Sequence, residues 1–182
     1  MSESYSGTCF CGAVGVKVIG KPEAMGFCHC RSCRSWSAGP VNAFTLWKPA
    51  NVAVTQGGEH VGTFHKTETS YRQFCRICGG HLMTVHPPFD MIDVYAATIP
   101  DLKFEPALHV NYAEAVLLLH DGLPQFKDLP EPFGGSGEMM PDHDCPYENV
   151  QNNSNIEIRG KRSDLRLIYL WPPRHLRVVK AV

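Results

Sequence analysis

Cys28-His29-Cys30-Arg31-Ser32-Cys33 puts three thiols into one short stretch, and its reading decides the fold. Two further clusters frame it, Cys9-Phe10-Cys11 upstream and Cys75-Arg76-Ile77-Cys78 downstream, while Cys145 stands alone. Thiolates at such spacings suit a borderline-soft cation such as zinc, which takes four ligands in a tetrahedron at about 2.3 Å. Clusters of two, three and two divide into one closed four-cysteine site and one three-cysteine site with an open place. A closed site reads as structure, and an open one reads as chemistry.

The spacings also suggest how each cluster is presented. Residues two apart in an extended strand point to the same side. Cys9 and Cys11 are therefore expected to face one metal from a strand, with Phe10 turned into other packing. Cys28 and Cys30 are expected to do the same, with His29 on the opposite side. Cys75 and Cys78 followed by Gly79-Gly80 read as a zinc knuckle, whose glycines let backbone amides approach the sulfurs. Such a site would pin a terminal strand to a distant hairpin. Cys28, Cys30 and Cys33 leave two arrangements open: three ligands with a free fourth position, or a closed site completed by His29 or His81. Arg31 and Arg34 flank the cluster. Their charge favours thiolate over thiol, and either guanidinium suits a substrate carboxylate. His29 and His81 are the first histidines to consider as a general acid.

Other uses of the thiols fit less well. Burial as small hydrophobes does not produce three clusters. A disulfide framework calls for an oxidising compartment, and the first residues show no basic stretch followed by an apolar one. A cytoplasmic location is the expectation. A redox dithiol at Cys75 and Cys78 would want a βαβ surround, which the pattern lacks.

The remaining sequence is that of an ordinary folded chain of 182 residues, 43% hydrophobic and 19% charged, which excludes wholesale disorder. Its 16 glycines and 14 prolines favour short strands and turns. Strands are expected over residues 8–19 (with a valine face), 25–30, 43–47, 52–56, 82–85, 93–98 and 116–119. A hairpin is expected from 61–65 and 70–74, and a turn or single helical turn over 31–36. No apolar run reaches the roughly 18 residues of a membrane span. The formal charge is −1, and seven thiolates holding two Zn2+ would lower it further. General nucleic-acid binding, which needs a basic surface, is not expected. Composition shifts after Gly134-Gly135-Ser136-Gly137, so residues 1–137 read as one zinc-binding domain and 138–182 as a C-terminal extension with a strand at 165–171.

The order Gly7-Thr8-Cys9-Phe10-Cys11-Gly12, Cys28-His29-Cys30-Arg31-Ser32-Cys33-Arg34 and Phe74-Cys75-Arg76-Ile77-Cys78-Gly79 resembles the glutathione-dependent formaldehyde-activating enzyme family, also called centromere-protein-V-like. Thr98-Ile99-Pro100-Asp101, Pro106-Ala107-Leu108-His109-Val110 and Leu123-Pro124-Gln125-Phe126 continue the likeness, which covers residues 6–137. The resemblance implies a mainly β, Mss4-like fold, a β-tent of folded-over antiparallel sheets joined by zinc. It implies a structural zinc on Cys9, Cys11, Cys75 and Cys78 and a catalytic zinc on Cys28, Cys30 and Cys33, two Zn2+ per chain. It further implies a carbon–sulfur lyase of the S-(hydroxymethyl)glutathione synthase type, joining formaldehyde to a small-molecule thiol, glutathione. The chain departs from the family pattern at His81, where a small polar residue often follows the knuckle, and at Tyr112, where tryptophan is common. A rival expectation is a non-catalytic protein-binding module, because fold does not fix function. A closed second site would favour that rival.

Overall fold

The alternation in residues 8–19 resolves into the end of one strand, a turn and a second strand. In the computed structural model, which describes residues 3–141, β1 (Ser4–Thr8) and β2 (Gly15–Ile19) pair antiparallel with Gly7 opposite Val16. Val14, Val16 and Val18 are fully buried, so the expected valine face is the core face. On its other edge β2 takes β5 (Val52–Gln56), completing a three-stranded sheet in the order β1-β2-β5.

The second sheet has seven strands. They are β3 (Ala24–Cys28), β4 (Asn42–Trp47), β6 (Val61–Thr67), β7 (Ser70–Cys75), β8 (His81–His86), β9 (Met91–Tyr95) and β10 (Leu108–Val110). Their order is β10-β3-β4-β9-β8-β7-β6. Every pair is antiparallel except the outermost, where β10 runs parallel to β3 with Val110 opposite Cys28. One short helix, α1 (Arg31–Ser37), follows β3. The fold is mainly β, as expected, and folds two sheets over one core.

That core joins the three valines to Trp47, Leu82, Met83, Val94, Ile99, Cys9 and Cys75. Its one indole does not leave an orphan donor. Trp47 Nε1 donates to Thr45 Oγ1 at 2.7 Å, and that hydroxyl donates to the Val94 carbonyl at 2.7 Å. Buried polar groups held this way cost little and fix orientation. β1 packs tightly against the 3-10 turn after β9 at Gly7, where a Cβ would lie 1.6 Å from the Thr98 carbonyl oxygen.

Three expected strands are corrected. The strand expected over 25–30 ends at Cys28, and Cys30 is the N-cap of α1. The strand expected over 93–98 stops at Tyr95, and Ala96–Thr98 forms a single 3-10 turn. The strand expected over 116–119 does not form. There the Leu119 N–H donates to the Tyr112 hydroxyl, while the Leu119 carbonyl accepts from that hydroxyl and from Gln125 Nε2. Side chains thus take the bonds that a ladder would have used. Beyond Gly137, the Lys127 N–H donates to the Glu138 carbonyl and the Met140 N–H to the Gln125 carbonyl, each at 2.8 Å. The rest of the expected extension, with Cys145 and the strand at 165–171, lies outside the described residues. No helix among the described residues is long and apolar enough to cross a membrane.

Candidate metal centres and the cavity between them

Cys9, Cys11, Cys75 and Cys78 come together as foreseen, but from two turns facing each other. Cys9-Phe10-Cys11-Gly12 is not a strand. The Gly12 N–H donates back to the Cys9 carbonyl at 2.9 Å, and Gly12 takes a positive φ of 79°. Phe10 does not pack inward, being 94% exposed. In the second turn the Gly79 N–H donates to the Cys75 carbonyl at 2.8 Å, and Gly79 takes a φ of 73°. Both glycines occupy left-handed backbone that side chains disfavour. Backbone amides also reach the sulfurs: the Val14 N–H donates to Cys9 Sγ at 3.2 Å and the Gly80 N–H to Cys78 Sγ at 3.4 Å.

All four sulfurs lie within 4.8 Å of one another. Cys9 and Cys11 are 3.6 Å apart, and Cys11 and Cys75 are 4.0 Å apart. A tetrahedron with metal–sulfur bonds of about 2.3 Å has edges of about 3.8 Å, so the group fits a metal ion with little movement. Burial pushes the Cys9 thiol up, but hydrogen bonds from the Val14 amide, Cys11 and Cys75 outweigh it and bring Cys9 down to about 6. The Ala13 amide eases Cys11 down, yet burial and its three thiol neighbours leave it raised to about 11. A cation bound there would displace the thiol protons.

The three-cysteine group is built from the end of β3 and the start of α1. Cys30 is the helix N-cap, its sulfur accepting from the Cys33 N–H at 3.2 Å. Cys28 donates to Cys33 Sγ at 3.6 Å. The three sulfurs lie within 4.8 Å of one another, and among the described residues no histidine, carboxylate or further cysteine joins them. The group therefore offers three protein ligands. Hydrogen bonds from Cys28 and Cys33 hold Cys30 far below the usual thiol value. Cys28 is raised by its bonds to Cys30 and Cys33 and by burial. Cys33 is eased down by Cys28, but Cys30 and burial raise it to about 11. A divalent cation bound there would displace the thiol protons that remain.

His29 and His81, the two histidines weighed as a fourth ligand, lie elsewhere. His29 is fully buried behind the cysteines, 2.9 Å from His109 Nδ1 through its Nε2. His109 Nε2 is 3.0 Å from an Asp121 carboxylate oxygen. A carboxylate only accepts, so His109 donates from Nε2, accepts at Nδ1, and His29 donates from Nε2. Burial, with the neighbouring His109 ring and the Arg34 guanidinium, holds His29 down at about 4, so it stays neutral. This chain holds the residue between Cys28 and Cys30. His81 instead lines a cavity, stacked against Trp36 at a ring separation of 4.3 Å.

The two flanking arginines differ. Arg34 spends Nε on the His29 carbonyl at 2.9 Å and Nη2 on the Glu114 carbonyl at 3.1 Å. Arg31 is exposed, and its backbone N–H donates to Glu114 Oε2 at 2.6 Å. The guanidinium that meets the cysteines is one the sequence reading missed. Arg72, only 4% exposed, donates from Nη2 to Ser32 Oγ at 3.1 Å and toward Cys33 Sγ at 3.9 Å. Its guanidinium carbon lies 5.6 Å from the Trp36 ring centroid. From β10 and its turn, Asn111 Nδ2 reaches Cys28 Sγ at 3.6 Å. Both groups support thiolate character. An inward-facing arginine on β7 was a signal in principle, because charged residues are seldom buried without a partner.

Between the two cysteine groups lies a cavity of about 340 Å3 lined by Thr8, Phe10, Ser37, Asn42, Gly80, His81, Tyr95, Ala97 and Thr98. Two of its walls attach directly to the three-cysteine group. Ser37 Oγ donates to the Cys33 carbonyl at 2.9 Å, and Asn42 pairs with Cys28 across β3 and β4.

With this geometry in hand, the likeness to known proteins can be stated. A family model described as glutathione-dependent formaldehyde-activating enzyme matches residues 4–114. An uncharacterized lyase of Schizosaccharomyces pombe is 33% identical over 75 residues, which are 41% of this chain and 53% of that protein. The chain thus spans about half the length of the curated relative it matches. A crystal structure of a Rhodobacter sphaeroides protein is 22% identical with a TM-score of 0.44, covering 54% of this chain and 90% of that one. A likeness of that size carries no argument.

Proposed function

This chain belongs to the glutathione-dependent formaldehyde-activating enzyme family, and from that premise we propose that it is a zinc-dependent carbon–sulfur lyase. Its substrate is the adduct of a small-molecule thiol, glutathione being the first choice, with formaldehyde or a similar electrophile. The direction of synthesis joins the two, and the reverse releases them. The observation that carries this reading is the absence, among the described residues, of a fourth ligand beside Cys28, Cys30 and Cys33. Two Zn2+ per chain are proposed, a structural one on Cys9, Cys11, Cys75 and Cys78 and a catalytic one on Cys28, Cys30 and Cys33.

Zinc held by three thiolates supplies a position where a substrate thiol is ionised at neutral pH. The protein's part is to hold that position open and aligned. Cys30 as N-cap and the Asn111 and Arg72 contacts fix the three sulfurs. Arg34 and the His29–His109–Asp121 chain fix the backbone between them. Arg31, exposed on the first turn of α1, is the flanking arginine whose side chain remains available for a substrate carboxylate. The electrophile's oxygen gains or loses a proton as the carbon–sulfur bond forms or breaks. His29 is sealed from that event, whereas His81 lines the cavity.

Cys30→Ser tests the assignment. The variant should stay folded, fall from two zincs to one per chain, and lose thiol-adduct formation as followed by NMR exchange. Full activity in that variant would remove the catalytic role of the three cysteines.

A further inference from the structure

Arg72 is a buried cation with no acid paired to it. It is 4% exposed, and among the described residues no carboxylate lies within ion-pairing distance of it. Arginine is seldom buried unpaired, because taking a charge out of water is costly. The acid in its row of the sheet is Asp93, one strand beyond Thr84. Burial pushes that carboxyl up to about 7, so in mildly acid solution it is mainly protonated. Tyr95 is a further neighbour, its hydroxyl kept neutral by burial, which raises it to about 12. What the guanidinium does meet is Ser32 Oγ at 3.1 Å, Cys33 Sγ at 3.9 Å and the face of Trp36. Lys66 Nζ reaches the same serine hydroxyl at 3.3 Å, but from an exposed side chain. The buried charge is therefore set against the three-cysteine group.

The two cysteine groups would carry charge differently. Four thiolates on a divalent ion leave two negative charges, and three leave one. In the four-cysteine group Cys11 is exposed, and the Val14 and Gly80 amides reach two of the sulfurs, so water and backbone dipoles offset the charge. In the three-cysteine group Cys28 is buried and Cys30 and Cys33 are half-buried. A thiolate added at its open place makes it doubly negative too, with less water at hand. An opposite charge within about 4–6 Å lowers the pKa of an acid by about 1–3 units. Arg72 supplies such a charge at Cys33, and a fourth ligand would share its ion with Cys33. Neither flanking arginine replaces it. Arg34 is turned to two backbone carbonyls, and Arg31 is exposed, where solvent and salt screen it.

We propose that Arg72 sets the ligand preference of the three-cysteine site, favouring a thiolate over a neutral ligand by offsetting the second negative charge. The inference rests on the lyase reading, in which a substrate thiol takes the open place. As it does so, its S–H bond breaks, the proton passes to solvent and the sulfur stays as thiolate. Arg72 transfers no proton. It is a positioning residue that acts through its charge beside Cys33.

Visible absorption of the cobalt-loaded full-length protein reads this preference at about pH 6.5, where Asp93 is mainly protonated. 2-Mercaptoethanol is the thiol probe, because its only ionising group is the sulfur, and imidazole is the neutral probe. Arg72→Gln removes the charge and keeps a donor, whereas Arg72→Lys keeps the charge. The glutamine variant should bind mercaptoethanol about ten-fold more weakly or worse, the low end of the charge effect, with imidazole affinity unchanged. The lysine variant should retain most of the thiol preference, since the charge remains. Arg72→Met is a second neutral variant, for which the same selective loss is expected if glutamine is not accommodated. Equal losses of both probes in the neutral variants would mark a merely structural role and overturn the proposal. Wild-type protein that loads cobalt but binds no thiol would overturn the lyase reading and the proposal together. Thiol binding that survives removal of the charge would overturn the proposal alone.

Discussion

Asp93 lies on β9 across Thr84 from Arg72 on β7, in one row of buried polar side chains. Burial pushes its carboxyl up to about 7, against the opposing pull of the Thr45 amide and the Arg72 guanidinium. One carboxylate oxygen has no partner, and neither does Arg72 Nε. Because the folded value exceeds the unfolded one, the fold binds the proton more tightly than the open chain between about pH 4 and 7. Stability is therefore fullest below the unfolded value and falls as pH rises to about 7, after which this contribution is flat. A shift of that size corresponds to at most about 4 kcal/mol. Asp93→Asn should flatten the decline and raise the melting temperature at pH 8, with little change near pH 4. Melting curves across that range check it, and an unchanged pH slope would show that Asp93 titrates normally. Arg72 itself was not legible beforehand. Its role depends on β7 bringing it to Ser32 and Cys33, some forty residues away, and nothing local to Tyr71-Arg72-Gln73 announces that meeting.

At the scale of elements, cysteine spacing was legible because ligand number and reach are local properties. The two groups form as read. What spacing did not disclose was backbone shape. Cys9 and Cys11 meet their partners from a turn closed by Gly12, since a short Cys-x-Cys run satisfies a strand or a turn equally well. The parallel pairing of β10 with β3 was also hidden, as a three-residue strand carries no period. Two predictions belong here. Gly7→Ala drives a methyl into the Thr98 carbonyl, 1.6 Å away, and only backbone can move. It should cost at least about 2 kcal/mol, at the level of a core overpacking change; denaturant melts giving wild-type stability would contradict the close approach. Cys78→Ser opens the four-cysteine group that fastens the turn after β1 to the turn after β7. A structural site of this type supplies an apparent binding energy of about 10–16 kcal/mol, so the variant should lose its cooperative melt by circular dichroism. A soluble variant melting like wild type would remove the structural assignment.

At the scale of the molecule, the two cysteine groups differ in number and place. One, with four sulfurs, joins the turn after β1 to the turn after β7. The other, with three, sits at the start of α1. The mainly β class followed from short alternating segments and frequent Gly and Pro, whereas the cavity emerges only when β4, β8, β9 and α1 are assembled. The central claim is that the three-cysteine metal takes a substrate thiol as its fourth ligand. Cobalt-substituted protein titrated with glutathione tests it most directly, because cobalt–thiolate absorption reports ligand number and type. Two cobalts per chain, with the visible bands of one changing saturably as thiol is added, is the predicted result. Bands indifferent to glutathione at every concentration would contradict the account.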